Sequence, residues 1–216
     1  IYDRLVGSEM CIRDSFKIGL KQFVDFSLHP HWSLSTLFKG IPEPKNFRYG
    51  SENRFDRNAS RAGANWEFLD ALREKWKGNL IVKGIMDTDD ASRVQNAGVD
   101  AIWVSNHGGR QLDSSPPALS ALPNIRNTVG PNMPIIFDSG ARNGEDVVKA
   151  LALGANFVML GRPIMMALAA SSKKGLNDYL SLLKDEIGVV MAQLGINDLE
   201  KISGDVLYDG ISKNIR

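Results

Sequence analysis

A single cysteine, Cys11, is all the thiol chemistry this 216-residue chain carries. One thiol cannot make a disulfide framework. Charge bias is missing as well: 26 basic residues against 25 acidic ones leave a net charge of +1. That balance argues against nucleic acid as the main partner. No apolar run approaches the roughly 20 residues of a membrane-spanning helix. The three histidines, His29, His31 and His107, do not form a metal set, so no metal is expected. No repeat or low-complexity tract appears.

What the chain does have is a short apolar run, Ala101-Ile102-Trp103-Val104, followed by Ser105-Asn106-His107-Gly108-Gly109-Arg110-Gln111-Leu112-Asp113. The run is bounded by turn signals and reads as a fully buried parallel strand. His107 then sits at the strand's mouth, and Gly108-Gly109 lets the chain turn sharply. Arg110 returns a planar fork of donors to the same opening, suited to a carboxylate. A base beside a carboxylate clamp is what oxidising a 2-hydroxy acid requires. Taken singly, a strand-end histidine is more often a hydrogen-bonded structural residue, and a lone arginine a surface cation.

Three further segments carry polar residues at the same end of their own strands. Asn79 to Ile85 reads as a strand ending on Lys83, Pro134 to Gly140 ends on Asp138 and a glycine turn, and Phe157 to Pro163 ends on Gly161-Arg162-Pro163. Amphipathic helical patterns lie between them, at Asp87 to Asn96, Pro117 to Thr128 and Gly144 to Leu153. Strands alternating with helices predict βαβ units and a parallel sheet. Its site belongs at the strand C-termini, where barrels and doubly wound sheets both put theirs.

From about Phe16 to Leu207 the chain resembles the C-terminal half of the FMN-dependent 2-hydroxy-acid dehydrogenases and oxidases, the family of flavin lactate dehydrogenases and glycolate oxidases. The resemblance rests on Asn65-Trp66-Glu67, Ile81-Val82-Lys83-Gly84-Ile85, Ser105 through Asp113, Asp138 through Gly144 and Leu160-Gly161-Arg162-Pro163, in family order and spacing. It implies strands five to eight of a (β/α)₈ barrel, with their helices. It further implies that His107 takes the substrate hydroxyl proton while the hydrogen on C2 passes to the flavin, and that Arg110 binds the substrate carboxylate. Lys83 would stand beside the flavin N1 edge, a fixed cation where negative charge builds, with Ser105 its neighbour. Asp138 would hold the ribityl hydroxyls. Ser139, Gly140, Arg142, Gly161 and Arg162 would serve the phosphate end, where barrels use the last two strand loops and a helix N-terminus.

The resemblance implies FMN as cofactor, a small 2-hydroxy acid as substrate and a homo-oligomer in the complete protein. The electron acceptor (oxygen, quinone or cytochrome) and the identity of the acid stay open. The expected setting is cytoplasmic, or peripheral to the inner membrane. Another FMN- or phosphate-binding barrel is the alternative, sharing the Asp138 and Gly161 loops without requiring His107 beside Arg110. A non-catalytic fragment is the third reading.

A barrel of this kind usually needs about 250 residues, and only four strand–helix units fit between Leu80 and Met166. The chain is therefore expected to be a partial domain, residues 16–216, whose function belongs to a longer protein. Ile1 to Ser15 matches nothing in the family, resembles translated sequencing-adaptor sequence and is expected to be foreign. Phe38 to Ala64 reads as a long loop. Ser171 to Lys174 reads as a polar break before a helix reaching about Leu194, and Asp198-Leu199 as the start of a last helical turn.

Overall fold

A computed structural model of the chain describes residues 20–39, 65–110 and 112–208. The expected leader, 1–15, lies outside the described residues, as does the expected loop except for Phe38 and Lys39. The chain divides into two compact units, residues 1–63 and 64–216.

The described part of the first unit is two successive helices, α1 (Leu20–Leu28) and α2 (Pro30–Lys39), joined through His29. Pro30 opens α2, where its missing N–H costs nothing. The Ser33 hydroxyl donates to the Phe26 carbonyl at 2.6 Å, and the Phe26 and Trp32 rings pack 5.3 Å apart. Both helices expose large apolar side chains: Leu20, Phe23, Val24 and Leu28 on α1, and Leu37 and Phe38 on α2.

The second unit starts with α3 (Trp66–Lys75), capped by the Asn65 side chain, which accepts from the Phe68 amide at 2.9 Å. Four parallel strands follow: β1 (Ile81–Ile85), β2 (Ala101–Val104), β3 (Ile135–Phe137) and β4 (Phe157–Val158). They pair in chain order, β1-β2-β3-β4. The crossovers are α4 (Thr88–Asn96), α5 (Ala118–Val129) and α6 (Gly144–Ala152). Asp87 caps α4 and Asn143 caps α6 through side-chain oxygens, as residues of these types do at helix starts. After β4 comes α7 (Arg162–Gln193), interrupted by non-helical backbone at Ser171 and Ser172. The polar break thus falls where the sequence placed it.

The core lies between sheet and helices. Ile102, Val104, Ile135 and Phe137 point into it from the strands, against Val94 of α4 and Leu122 and Ile125 of α5. All seven are nearly or wholly buried. The opposite sheet face carries Ile81, Lys83 and Trp103 on β1 and β2, with Phe157 on β4. Of these, Ile81 and Phe157 stay exposed at 44% and 59%, too open to count as core.

Arg126 ties the ends where β3 and β4 begin. Its guanidinium donates to the carbonyls of Gly130, Met133 and Gly154 and to the Asn156 side chain, at 2.6–2.9 Å. The same Asn156 oxygen accepts the Ile135 amide at 2.8 Å. Burial pushes the Arg126 guanidinium below the usual arginine range.

Two strand readings need correction. Lys83 is not at a strand end. It lies within β1 beside a bulge: the register passes from Lys83↔Trp103 to Ile85↔Val104, with Gly84 at φ +100° as the extra residue. The last strand is shorter than the apolar run suggests, because the chain leaves the sheet after Val158 and Arg162-Pro163 already belongs to α7.

Candidate active site

The C-terminal ends of the four strands open into one cavity. β1 contributes Lys83, and the turn after β2 contributes His107, Gly108 and Arg110. Asp138, Ser139, Gly140 and Arg142 follow β3, and Gly161 and Arg162 come from the start of α7. Nine of the ten residues singled out in the sequence line this opening. Ser105 does not: it is 2% exposed and sits beneath the others.

The turn that presents the histidine is built by its neighbours. His107, Gly108 and Gly109 all take left-handed backbone angles, with φ of +60°, +70° and +74°. Glycine adopts these freely, and histidine more readily than most residues. Asn106 sustains the run, its side-chain oxygen accepting from the amides of Gly108 (3.0 Å) and Gly109 (3.2 Å). Its Nδ2 donates to the Pro116 carbonyl at 3.1 Å. A Cβ at Gly108 would stand 3.3 Å from the end of the Arg162 guanidinium, a tight contact that the arginine would have to ease by a few tenths of an ångström. The imidazole and the Arg110 side chain are left exposed at the cavity.

Two serine hydroxyls join the strands under this turn. Ser105 Oγ accepts from Lys83 Nζ at 2.8 Å and from the His107 amide at 3.1 Å. Ser139 Oγ accepts the Gly108 amide at 3.0 Å and donates to Asp138 Oδ1 at 2.6 Å. The two hydroxyls are 3.2 Å apart. Lys83 therefore has three neighbours that favour its charge: Ser105, Asp138 Oδ2 at 2.5 Å, and the Trp103 ring, whose centroid is 4.2 Å away. Burial alone would raise the Asp138 carboxyl. Hydrogen bonds from Lys83, Ser105 and Ser139, together with the lysine charge, outweigh it and hold the group below the ordinary carboxylate value.

Charge tells what the cavity suits. Four cations, Lys83, Arg110, Arg142 and Arg162, share the lining with one carboxylate, Asp138. Such an excess suits anionic ligands. At Gly140 and Gly161 the space a Cβ would occupy has nothing within 4 Å, so backbone there is open to a ligand. Gly161 also precedes the first turn of α7, where free amides favour an anion.

Residues 6–209 match the family of FMN-dependent dehydrogenases. The chain belongs to that family. Among its members the chain is 38% identical over 211 residues to the (S)-mandelate dehydrogenase of Pseudomonas putida, covering 93% of this chain and 53% of that protein. It is 37% identical over 206 residues to an L-lactate dehydrogenase of Acinetobacter baumannii, covering 91% and 54%. The crystal structure of the monotopic membrane protein (S)-mandelate dehydrogenase superposes with a TM-score of 0.79 at 38% identity, over 88% of this chain and 52% of that one. The chain thus spans about half the length of the curated relatives it matches. Its four parallel strands and their helices are half of the FMN-dependent dehydrogenase barrel.

Sequence reasoning missed three parts of this cavity. Asn106 was readable, because an asparagine before His-Gly-Gly is a turn-forming residue whose side chain caps amides. The role of Ser139 as a junction was not, since its partners lie 31 and 34 residues away. Trp103 was assigned only to the strand, though its ring faces the lysine.

Proposed function

We propose that the complete protein oxidises an L-2-hydroxy acid to the 2-oxo acid, with bound FMN accepting the hydride from C2. The observation that carries this reading is the meeting of His107 and Arg110 with Lys83 and two further arginines in one opening. Arg110 would grip the substrate carboxylate and turn C2 toward the cofactor. His107 would take the hydroxyl proton on an imidazole nitrogen as the carbonyl forms. Lys83 would place a positive charge at the edge of the flavin ring, steadied by Ser105 and Trp103. Asp138 would accept from the ribityl hydroxyls, with Ser139 beside it. Gly140, Arg142, Gly161 and Arg162 would hold the phosphate.

Peripheral attachment to a membrane, with a membrane-borne electron acceptor, fits the apolar side chains that the first two helices expose and the membrane association of a relative. No helix among the described residues is long and apolar enough to cross a bilayer. Yet α1 and α2 expose Phe23, Leu28, Leu37 and Phe38, and a relative is named a monotopic membrane protein. Co-sedimentation with lipid vesicles that is lost in a Leu37→Ser, Phe38→Ser variant supports this attachment, and a complete protein that stays in the supernatant refutes it.

The oxidation itself is tested on the complete protein under nitrogen. Its flavin absorbance should bleach when L-lactate, glycolate or (S)-mandelate is added. A flavin that stays oxidised with every 2-hydroxy acid would sink the proposal.

A further inference from the structure

Arg142 reaches the cavity from a loop whose backbone is held on three sides. Its own amide donates to Asp146 Oδ2 at 2.9 Å. Its carbonyl accepts from the Tyr179 hydroxyl at 2.8 Å, across 37 residues. Two residues on, the Gly144 amide donates to Glu186 Oε2 at 2.8 Å, across 42 residues. Gly144 is buried, and a Cβ there would lie 2.6 Å from the Glu186 Cβ and closer still to the Ile187 amide. The approach of α7 to the start of α6 therefore requires glycine at this point.

Tyr179 and Glu186 both follow the Ser171–Ser172 interruption of α7. One chain segment thus serves the arginine-lined end of the cavity twice. Its first turn brings Arg162 to the opening directly, and its later part holds the backbone that carries Arg142. A guanidinium on an exposed loop loses several rotatable bonds' worth of freedom when it binds, so a fixed backbone lowers the cost of capture. The Tyr179 phenol is raised above the ordinary tyrosine value by burial and by the charges of Glu186 and Asp146, which keeps it a donor.

We propose that Tyr179 and Glu186 are positioning residues for phosphate capture, acting through the Arg142–Gly144 backbone to hold the Arg142 guanidinium at the cavity. This rests on the reading of Arg142 as a ligand of the FMN phosphate. Neither side chain is among those lining the cavity.

Riboflavin, which is FMN without its phosphate, separates positioning from general stability. Apoprotein of the complete enzyme is titrated with FMN and with riboflavin, following flavin fluorescence. Arg142→Ala should weaken FMN by at least about 10-fold and riboflavin hardly at all. Tyr179→Phe should weaken FMN by about 3–10-fold, with riboflavin changed by less than about twofold. Glu186→Ala should act in the same way, and Glu186→Gln should restore most of the affinity, because its amide oxygen still accepts from Gly144. Added to Arg142→Ala, Tyr179→Phe should cost nothing more.

Equal losses for both flavins would mean the helix contacts only stabilise the fold, and would overturn the proposal. So would unchanged FMN affinity in Tyr179→Phe and Glu186→Ala while Arg142→Ala loses it, an outcome that leaves the phosphate reading standing. An Arg142→Ala variant with unaltered preference for FMN would overturn that reading and the positioning role together. Should Glu186→Ala fail to fold, Tyr179→Phe, which removes one oxygen, decides the matter alone.

Discussion

The Lys83 ammonium and the Asp138 carboxylate meet at 2.5 Å across 55 residues of chain, joining the bulge in β1 to the end of β3. Their side chains are 33% and 21% exposed, so water screens the pair only in part. The Asp138 carboxyl is lowered from its ordinary 3.8. A lowered folded-state value means the pair's contribution is fully present above the unfolded carboxylate value and is lost as pH falls through the folded one. The stability gap between the protein and its Asp138→Asn variant should therefore be flat above about pH 5 and shrink below about pH 4. Denaturant midpoints measured across that range check this. A gap that instead closes on going alkaline from neutral would contradict it.

His107→Gln in the complete protein should leave FMN bound and slow flavin reduction by at least about 10²-fold, the usual contribution of a positioned base. Glutamine can hydrogen-bond to the substrate hydroxyl but cannot accept its proton. Single-turnover reduction under nitrogen isolates the step from reoxidation and product release. A near-normal rate would make the exposed imidazole a bystander.

Arg110→Lys should impair substrate binding and turnover together. Lysine keeps the charge and loses the paired donors that orient a carboxylate. Steady-state kinetics with one good substrate are enough, and unchanged kcat and KM would return Arg110 to the surface.

Arg126→Lys should destabilise the second unit by about 2–4 kcal/mol, since an ammonium cannot reach four acceptors spread around a planar fork. Thermal and urea unfolding followed by circular dichroism measure this. A loss under about 0.5 kcal/mol would show that water replaces the missing donors.

The 216-residue chain alone should bind FMN weakly and not turn over, because one half of a barrel supplies one side of the cavity. Protein that leaves gel filtration yellow would disprove this.

Elements whose cause is local were legible in the sequence. Ala101–Val104 is the strand that its apolar run and flanking turns predict, and Asp87 and Asn143 cap helices as their side chains suggest. The three cavity arginines were legible because each follows a strand at or near a glycine: Arg110 after Gly108-Gly109, Arg142 after Gly140, Arg162 after Gly161. Long-range bonds were not. Glu186 meets Gly144, and Ser139 meets Gly108, through single hydrogen bonds between distant segments, which leave no periodicity or turn signature. The extent of β4 escaped for a different reason. An apolar run shows that a segment is buried, but hydrogen-bonded neighbours decide how much of it is strand, and β4 pairs with β3 only through Phe157 and Val158.

The strand order β1-β2-β3-β4 has a consequence for how the molecule is made. Each of β2, β3 and β4 pairs with the strand synthesised just before it, so each pairing waits for only a few dozen further residues to leave the ribosome. The Arg126 clasp is different in timing. It waits for Gly154 and Asn156, and closes only when the start of β4 has emerged. Growth of the sheet is thus stepwise, and the fastening of its last two strands is a late event that a single arginine reports. A nascent chain that has emerged from the ribosome as far as β3 but not to Gly154 should hold a third strand that is paired but not yet locked.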